Sequence, residues 1–450
     1  MIRIYNSLTR TKEDFKPLVE GKVSMYVCGP TVYDLGHLGH GRSAVAFDIV
    51  RRYLEYSGLE VKFVFNNTDI DDKMIKRAAE EGITVKELAQ RIMPEYDADY
   101  GALGVKPPTV KPLATEHVPE MIEIIVALEK KGFAYVLDDG VYYDVAKFEE
   151  YGKLSGQKLE ELKMGARVDV KESKRNPYDF VLWKFKKEGE PSWESPWGEG
   201  RPGWHIECSA MSRAHLGEGF DIHGGGLDLT FPHHECEIAQ TEAALGSGSF
   251  ARYWMHNGFI NVDDEKMSKS LNNFFTLRDI FEKYDPQVVR FMLIQSHYRK
   301  PVNFSDSLLD QAKNGLERLH DFVRKLHDTE DSDEIVALID VARAGFEKSM
   351  NDDFDTSGAL GAVFELVKEV NKIGNGGTAV LKFLKSVDAV LGICFFEEEE
   401  VDDEVNALIK EREEVRAAKD WARSDEIRDE LAAKGIVLED GPDGITWKRA

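Results

Sequence analysis

Two histidines and two glycines stand close together in the segment GPTVYDLGHLGHGR, at His37, Gly39, His40 and Gly41. Glycine lets backbone approach a ligand closely, and free N–H groups at a helix start attract anions. Imidazoles can donate hydrogen bonds to oxygens whose charge changes in a transition state. The chemistry this suggests is phosphate handling, and because no GxxxxGK[ST] string is present, a Walker-type loop is excluded. Far downstream, DDEKMSKSLNN sets Lys266 and Lys269 among serines and paired asparagines. Ammonium groups on such a polar loop suit the neutralisation of a leaving pyrophosphate. Taken singly, the first segment also reads as a capped turn and the second as a surface turn.

A third group carries soft ligands: Cys28, Cys208 in RPGWHIECSAM, and His233, His234, Glu235, Cys236 and Glu237 in TFPHHECEIAQ. Thiolate, imidazole and carboxylate together suit Zn2+ better than Mg2+ or Ca2+. If HHECEIAQTEAAL is a helix, His233 and Glu237 stand at i and i+4 on one face, suited to joint ligation. Cys236, at i+3 from His233, is a rival donor that would make the set Cys3His, a closed structural type.

These groups need elements to hold them. VSMYVC from Val23 reads as a buried strand, and Ala44 to Tyr56 places Val45, Ile49 and Tyr53 on one helical face. VKFVFNN then reads as a second strand and DKMIKRAAEEG as a second helix. Strand, helix and strand in this order predict an α/β fold with a doubly wound parallel sheet. A Pro-, Gly- and Trp-rich stretch follows within residues 118–200, the texture of an inserted domain, before FDIHGGG and YWMHNGFINV resume the sheet. Past Thr276 the patterns turn helical, the run EEEEVDDE from Glu397 reads as a solvated linker, and a compact tail closes the chain.

The 450 residues, 42% hydrophobic and 31% charged, are enough for two to four domains. The first residues lack an apolar core of the signal-peptide kind, and no stretch of about 18 apolar residues occurs, so neither export nor membrane insertion is expected. Four dispersed cysteines do not make a disulfide framework; reduced thiols in a cytoplasmic protein are the expectation. A net charge of −24 argues against non-specific adhesion to phosphate backbones, while a local stripe of Lys and Arg can still bind RNA.

HLGH and KMSKS, separated by an insertion, resemble the paired signatures of class I aminoacyl-tRNA synthetases. FNNTDIDDK, KRNPYDFVLWK, DIHGGGLDLTFPHHE and the tail IVLEDGPDGITW narrow the resemblance to the cysteinyl-tRNA synthetase family, over essentially the whole chain. The resemblance implies activation of L-cysteine with ATP, Mg2+ accompanying the nucleotide, and transfer to tRNA(Cys). It implies one Zn2+ held by Cys28, Cys208, His233 and Glu237 that binds the substrate thiolate, with Thr68 and Trp204 near the amino-acid pocket. His37, His40, Lys266 and Lys269 are then catalytic, with Gly39 and Lys269 on the nucleotide. Zinc chemistry separates cysteine from serine where shape discriminates weakly, so no editing domain is needed.

The resulting division is a Rossmann-like catalytic domain in two halves, 1–117 and 201–275, around an inserted connective domain at 118–200. A stem-contact segment follows at 276–310, a helical anticodon-binding domain at 311–396 and a small tRNA-recognition module at 401–450. Arg290, His297, Tyr298, Arg299 and Lys300 are expected at phosphates, and Trp421, Arg423, Arg428 and Trp447 at splayed bases unless the tryptophans are core. A monomer is the default. Two rival readings are a cysteine ligase acting on a small amino-sugar and a catalytically silent RNA-binding relative. The long helical continuation and the intact chemical motifs favour the synthetase.

Overall fold

The computed structural model describes residues 1–157, 173–262, 265–266, 275–326, 329–374, 376–393, 403–417, 420–434, 436–441 and 444–449. An N-terminal hairpin of β1 (Arg3–Asn6) and β2 (Thr11–Asp14) leads to β3 (Lys22–Val27), α1 (Leu38–Tyr56) and β4 (Glu60–Phe65). Three helices follow, α2 (Asp72–Glu81), α3 (Val85–Ala102) and α4 (Val118–Lys130). Next comes an antiparallel sheet of β5 (Ala134–Leu137), β6 (Gly140–Tyr143), β7 (Phe180–Phe185) and β8 (Gly200–Pro202). Helix α5 (Trp204–Leu216), strand β9 (Phe220–Gly226), helix α6 (Glu235–Leu245) and strand β10 (Ala251–Asn257) complete the first part of the chain.

The main sheet runs β10-β9-β3-β4 with every pair parallel. Met25, Tyr26 and Val27 are all buried, as a strand covered on both faces requires. From β3 the chain winds to β4 on one side and later returns to β9 on the other. The order therefore reverses between β3 and β9, and the crevice at their carboxyl ends is where such sheets bind ligands. Cys28 follows β3 at that point, its N–H donating to the Gly224 carbonyl of β9 at 3.0 Å.

Helix α1 starts at Leu38, six residues before the sequence pattern begins, because His37 caps it. Its expected face is buried, and Phe47, Val50 and Leu54 are buried beside Val45, Ile49 and Tyr53. Within the expected insertion, α4 packs against α5 and α6. The antiparallel sheet is tied to α6 by the Tyr143 hydroxyl, which donates to the Ala239 carbonyl at 2.9 Å.

Strand β11 (Ile260–Val262) pairs antiparallel with β12 (Glu265–Lys266) and parallel with β13 (Val302–Phe304). Around them the chain is helical: Leu277–Phe281, Pro286–Ile294, Asp306–Arg324, Asp333–Asn351, Thr356–Ile373 and Thr378–Leu391. The expected phosphate contacts Arg290 and Tyr298 are core residues instead. Arg290 is fully buried, its Nη2 2.6 Å from an Asp48 carboxylate oxygen and its Nε on the Leu391 carbonyl at 2.7 Å. A guanidinium sealed from water needs such partners. The Tyr298 hydroxyl donates to Asp353 at 2.8 Å, and Arg299 is bonded to the same carboxylate at 2.6 Å. The acidic run from Glu397 lies outside the described residues as far as residue 402.

The tail folds as helices Asp403–Ala417 and Trp421–Ala433 with a hairpin of Ile436–Gly441 and Gly444–Arg449. Val405, Ile427, Leu431 and Ile436 form its own small core. Trp421 is not a core residue: it is exposed, with the Arg416 guanidinium 5.9 Å from its ring centre. No helix among the described residues is long and apolar enough to cross a membrane.

Candidate active site

The cleft at the switch point, about 310 Å³, is lined by Cys28, Tyr33, His37, Gly39, His40, Lys73 and Trp204 among others. At its helix end the two histidines form a reciprocal cap. His37 Nδ1 accepts from the backbone N–H of Gly39 at 3.0 Å and of His40 at 3.4 Å, while His40 Nδ1 accepts from the His37 N–H at 3.2 Å. The rings stack with centres 3.7 Å apart. Because Nδ1 is an acceptor in both, each neutral ring carries its proton on Nε2. The capped-turn reading is what the geometry shows: one edge of each imidazole starts the helix, and the opposite nitrogen is left with the proton.

Backbone ties bring the residues that flank the distant lysine segment to the same place. His37 bridges Thr276, and Leu277 N–H donates to the Gly36 carbonyl at 2.9 Å. On the other side Lys266 pairs with Asn261 of β11, whose neighbour Ile260 lines the cleft. Lys269 and the rest of 267–274 lie outside the described residues. Arg42, next to the glycines, is buried and donates to the His297 carbonyl at 2.9 Å, so it joins α1 to the turn after helix Pro286–Ile294.

The soft ligands converge. One donor atom from each of Cys28, Cys208, His233 and Glu237 lies within 4.8 Å of all the others, and all four residues are buried. Cys28 Sγ is 3.4 Å from Cys208 Sγ and 3.5 Å from Glu237 Oε1, and His233 Nε2 is 3.1 Å from that oxygen. Burial pushes the Cys28 thiol and the Glu237 carboxyl up and the His233 imidazole down. Left alone these groups go neutral; a divalent cation among them favours thiolate and carboxylate. Glu237 Oε2 is buried without a hydrogen-bond partner among the described residues, as a carboxylate awaiting a cation would be. The donor set thus fits a zinc-type ion.

Cys236 takes no part in either candidate set; its thiol lies 3.3 Å from the Tyr151 hydroxyl. A second set, Cys28, His223, His234 and Glu237, shares two donors with the first. Sequence reasoning missed His223, although its place in IHGGG at the end of a strand beside the cluster was a signal. His234 Nδ1 lies 2.8 Å from His256 Nε2, which marks it as part of a buried histidine chain. Trp204, more than a third exposed, stacks on His233 with ring centres 4.3 Å apart. Thr68 is buried, and its hydroxyl donates to Glu207, the neighbour of Cys208, at 3.0 Å. Lys73 was also missed; it stands at the start of α2 with its ammonium 5.3 Å from the Tyr33 ring centre.

Residues 14–314 match the tRNA synthetases class I (C) catalytic domain, 345–396 the DALR domain and 398–447 the cysteinyl-tRNA ligase anticodon binding domain. The chain is 54% identical to the cysteine–tRNA ligase of Chromobacterium violaceum over 463 residues, covering 100% of each chain. It is 50% identical to that of Thermococcus onnurineus, covering 100% of this chain and 99% of the relative. A solved methionyl-tRNA synthetase of Mycobacterium tuberculosis, in complex with methionyl-adenylate, shares the fold at a TM-score of 0.60 and 15% identity, covering 83% of this chain and 90% of that one. The chain belongs to the cysteine–tRNA ligase family of class I aminoacyl-tRNA synthetases.

Proposed function

We propose that this protein activates L-cysteine with ATP to cysteinyl-adenylate and transfers the cysteine to tRNA(Cys). The observation that carries the reading is the cleft itself, where Cys28 of the soft-ligand cluster and Trp204, stacked on its His233, line the same walls as His37, Gly39 and His40. Zn2+ held by Cys28, Cys208, His233 and Glu237 supplies a soft Lewis acid that takes a thiolate far better than a serine hydroxyl. Trp204 and the Thr68–Glu207 pair border that cluster and shape the amino-acid pocket.

The substrate carboxylate attacks the α-phosphate of ATP and pyrophosphate leaves. His37 and His40 donate from Nε2 to phosphate oxygens as charge develops, Gly39 gives the nucleotide close backbone approach, and Lys266 and Lys269 neutralise the departing pyrophosphate. Mg2+ accompanies the nucleotide. A terminal ribose hydroxyl of the tRNA then attacks the activated carbonyl and AMP departs. The tail matched to an anticodon-binding domain supports tRNA over a small amino-sugar as acceptor. The test is cysteine-dependent exchange of labelled pyrophosphate into ATP, followed by charging of tRNA(Cys). Exchange with cysteine and little with serine is expected, and its absence in zinc-loaded protein sinks the reading.

A further inference from the structure

The cleft carries a cation that neither the soft-ligand cluster nor the histidine pair accounts for. Among the described residues that line it, Lys73 is the one lysine or arginine. Its ammonium lies 5.3 Å from the Tyr33 ring centre, and no carboxylate among the described residues pairs with it. The side chain is exposed, yet the backbone beneath it is pinned. Asp71 accepts from the Lys73 N–H at 2.8 Å and caps α2, and Met74 is buried. Asp72, between them, is ion-paired with Lys184 of β7 and Arg201 of β8. Arg201 is itself buried and held by Glu190 at 2.8 Å. The antiparallel sheet of the insertion therefore fixes where the first turn of α2 meets the cleft.

Two ties place Lys73 on the amino-acid side of the cleft. The link from β4 that delivers it contains Thr68, and Arg201 stands three residues before Trp204. The phosphate donors His37, Gly39 and His40 belong to the start of a different element, α1. Resting on the cysteine-activation reading, we propose that Lys73 binds the α-carboxylate of the amino acid and so helps determine which thiols the enzyme accepts. A thiol held at the soft-ligand cluster and a carboxylate held at Lys73 are two ends of one small molecule. Attachment at both ends removes the freedom that a singly held ligand keeps, and aligns the carboxylate for attack on the α-phosphate. Carboxylate and phosphate are both anions, and an ammonium beside them offsets their repulsion on approach. The Tyr33 ring holds that ammonium weakly compared with a charged hydrogen bond, so it is free to turn to the substrate.

The test measures, by calorimetry on zinc-loaded full-length protein, the binding of L-cysteine and of cysteamine, which has the thiol and the amine without the carboxylate. Wild type should prefer cysteine. Lys73→Met keeps the aliphatic stem and should weaken cysteine roughly tenfold or more, the loss of one charge-assisted hydrogen bond, with cysteamine bound no more weakly. Lys73→Arg should restore part of the preference. In pyrophosphate exchange the Lys73→Met defect should fall mainly on the KM for cysteine. A Lys73→Met protein that keeps the wild-type preference overturns the assignment and leaves the thiolate reading standing. One whose exchange slows with both affinities unchanged overturns it as well, because the ammonium would then act on phosphate. Wild-type protein that binds neither thiol would sink the reading on which the assignment rests.

Discussion

One peptide bond separates Cys236 from Glu237, yet the first turn of α6 sends them to different surroundings. Glu237 points into the soft-ligand cluster, while the Cys236 thiol meets the Tyr151 hydroxyl. Cys236→Ala should therefore keep its zinc and lose roughly 1–3 kcal/mol of stability, the cost of a buried hydroxyl left without a partner. Glu237→Gln should purify with markedly less zinc and lose discrimination against serine. Metal analysis of the two proteins decides the matter, and a metal-free Cys236→Ala protein would place the thiol in the site. Lys269→Ala should slow pyrophosphate exchange by roughly 10²–10³, the range seen when one donor to a developing anion is removed. The loss should appear in kcat with the KM for cysteine little changed, and an unaltered kcat would reduce KMSKS to a surface turn.

Among elements, the strands and helices around the cleft were legible because their hydrophobic period is strong, and the apolar run at Met25–Val27 also revealed that both faces of β3 are covered. The start of α1 was not legible. Histidine is a rare cap, so a boundary scan passes over His37, and the reciprocal pairing with His40 becomes visible only in three dimensions. Arg290 was misread for a related reason: a cation on a helix is most often at the surface, and its partner Asp48 lies on α1, far away in sequence. That pair joins helix Pro286–Ile294 to α1 directly. Arg290→Ala should destabilise the protein by roughly 3–5 kcal/mol, because Asp48 is left buried with its main partner gone. Urea unfolding should show it, and a change below about 1 kcal/mol would mean that Arg52, 2.8 Å from Asp48, suffices alone.

Across the whole molecule, the chemistry and the tail occupy separate cores: one large cluster contains the sheet and the helices to Ile393, and a small one lies beyond it. Protein lacking residues 401–450 should thus retain most of its cysteine-dependent exchange while charging of tRNA(Cys) falls steeply. Equal loss of both activities in a folded truncation would show that the tail supports the cleft. Unchanged charging would remove the tail from RNA recognition. The net charge of −24 makes the location of any basic stripe decisive, and among the described residues of the tail Arg416 beside exposed Trp421 is a pairing that suits a stacked base.

In the proposed mechanism the His37 and His40 rings serve twice, and folding and reactivity then become inseparable at one spot. The acceptors that start α1 and the proposed donors are opposite edges of the same two imidazoles, both of which line the cleft. A frayed first turn would leave both rings free to spin, so the helix start acts as an interlock: the donors are correctly aimed only while the turn is wound. Asparagine at position 37 offers an oxygen in place of Nδ1 and nothing in place of Nε2. It would preserve the cap and leave the His40 ring as the one donor still held by it.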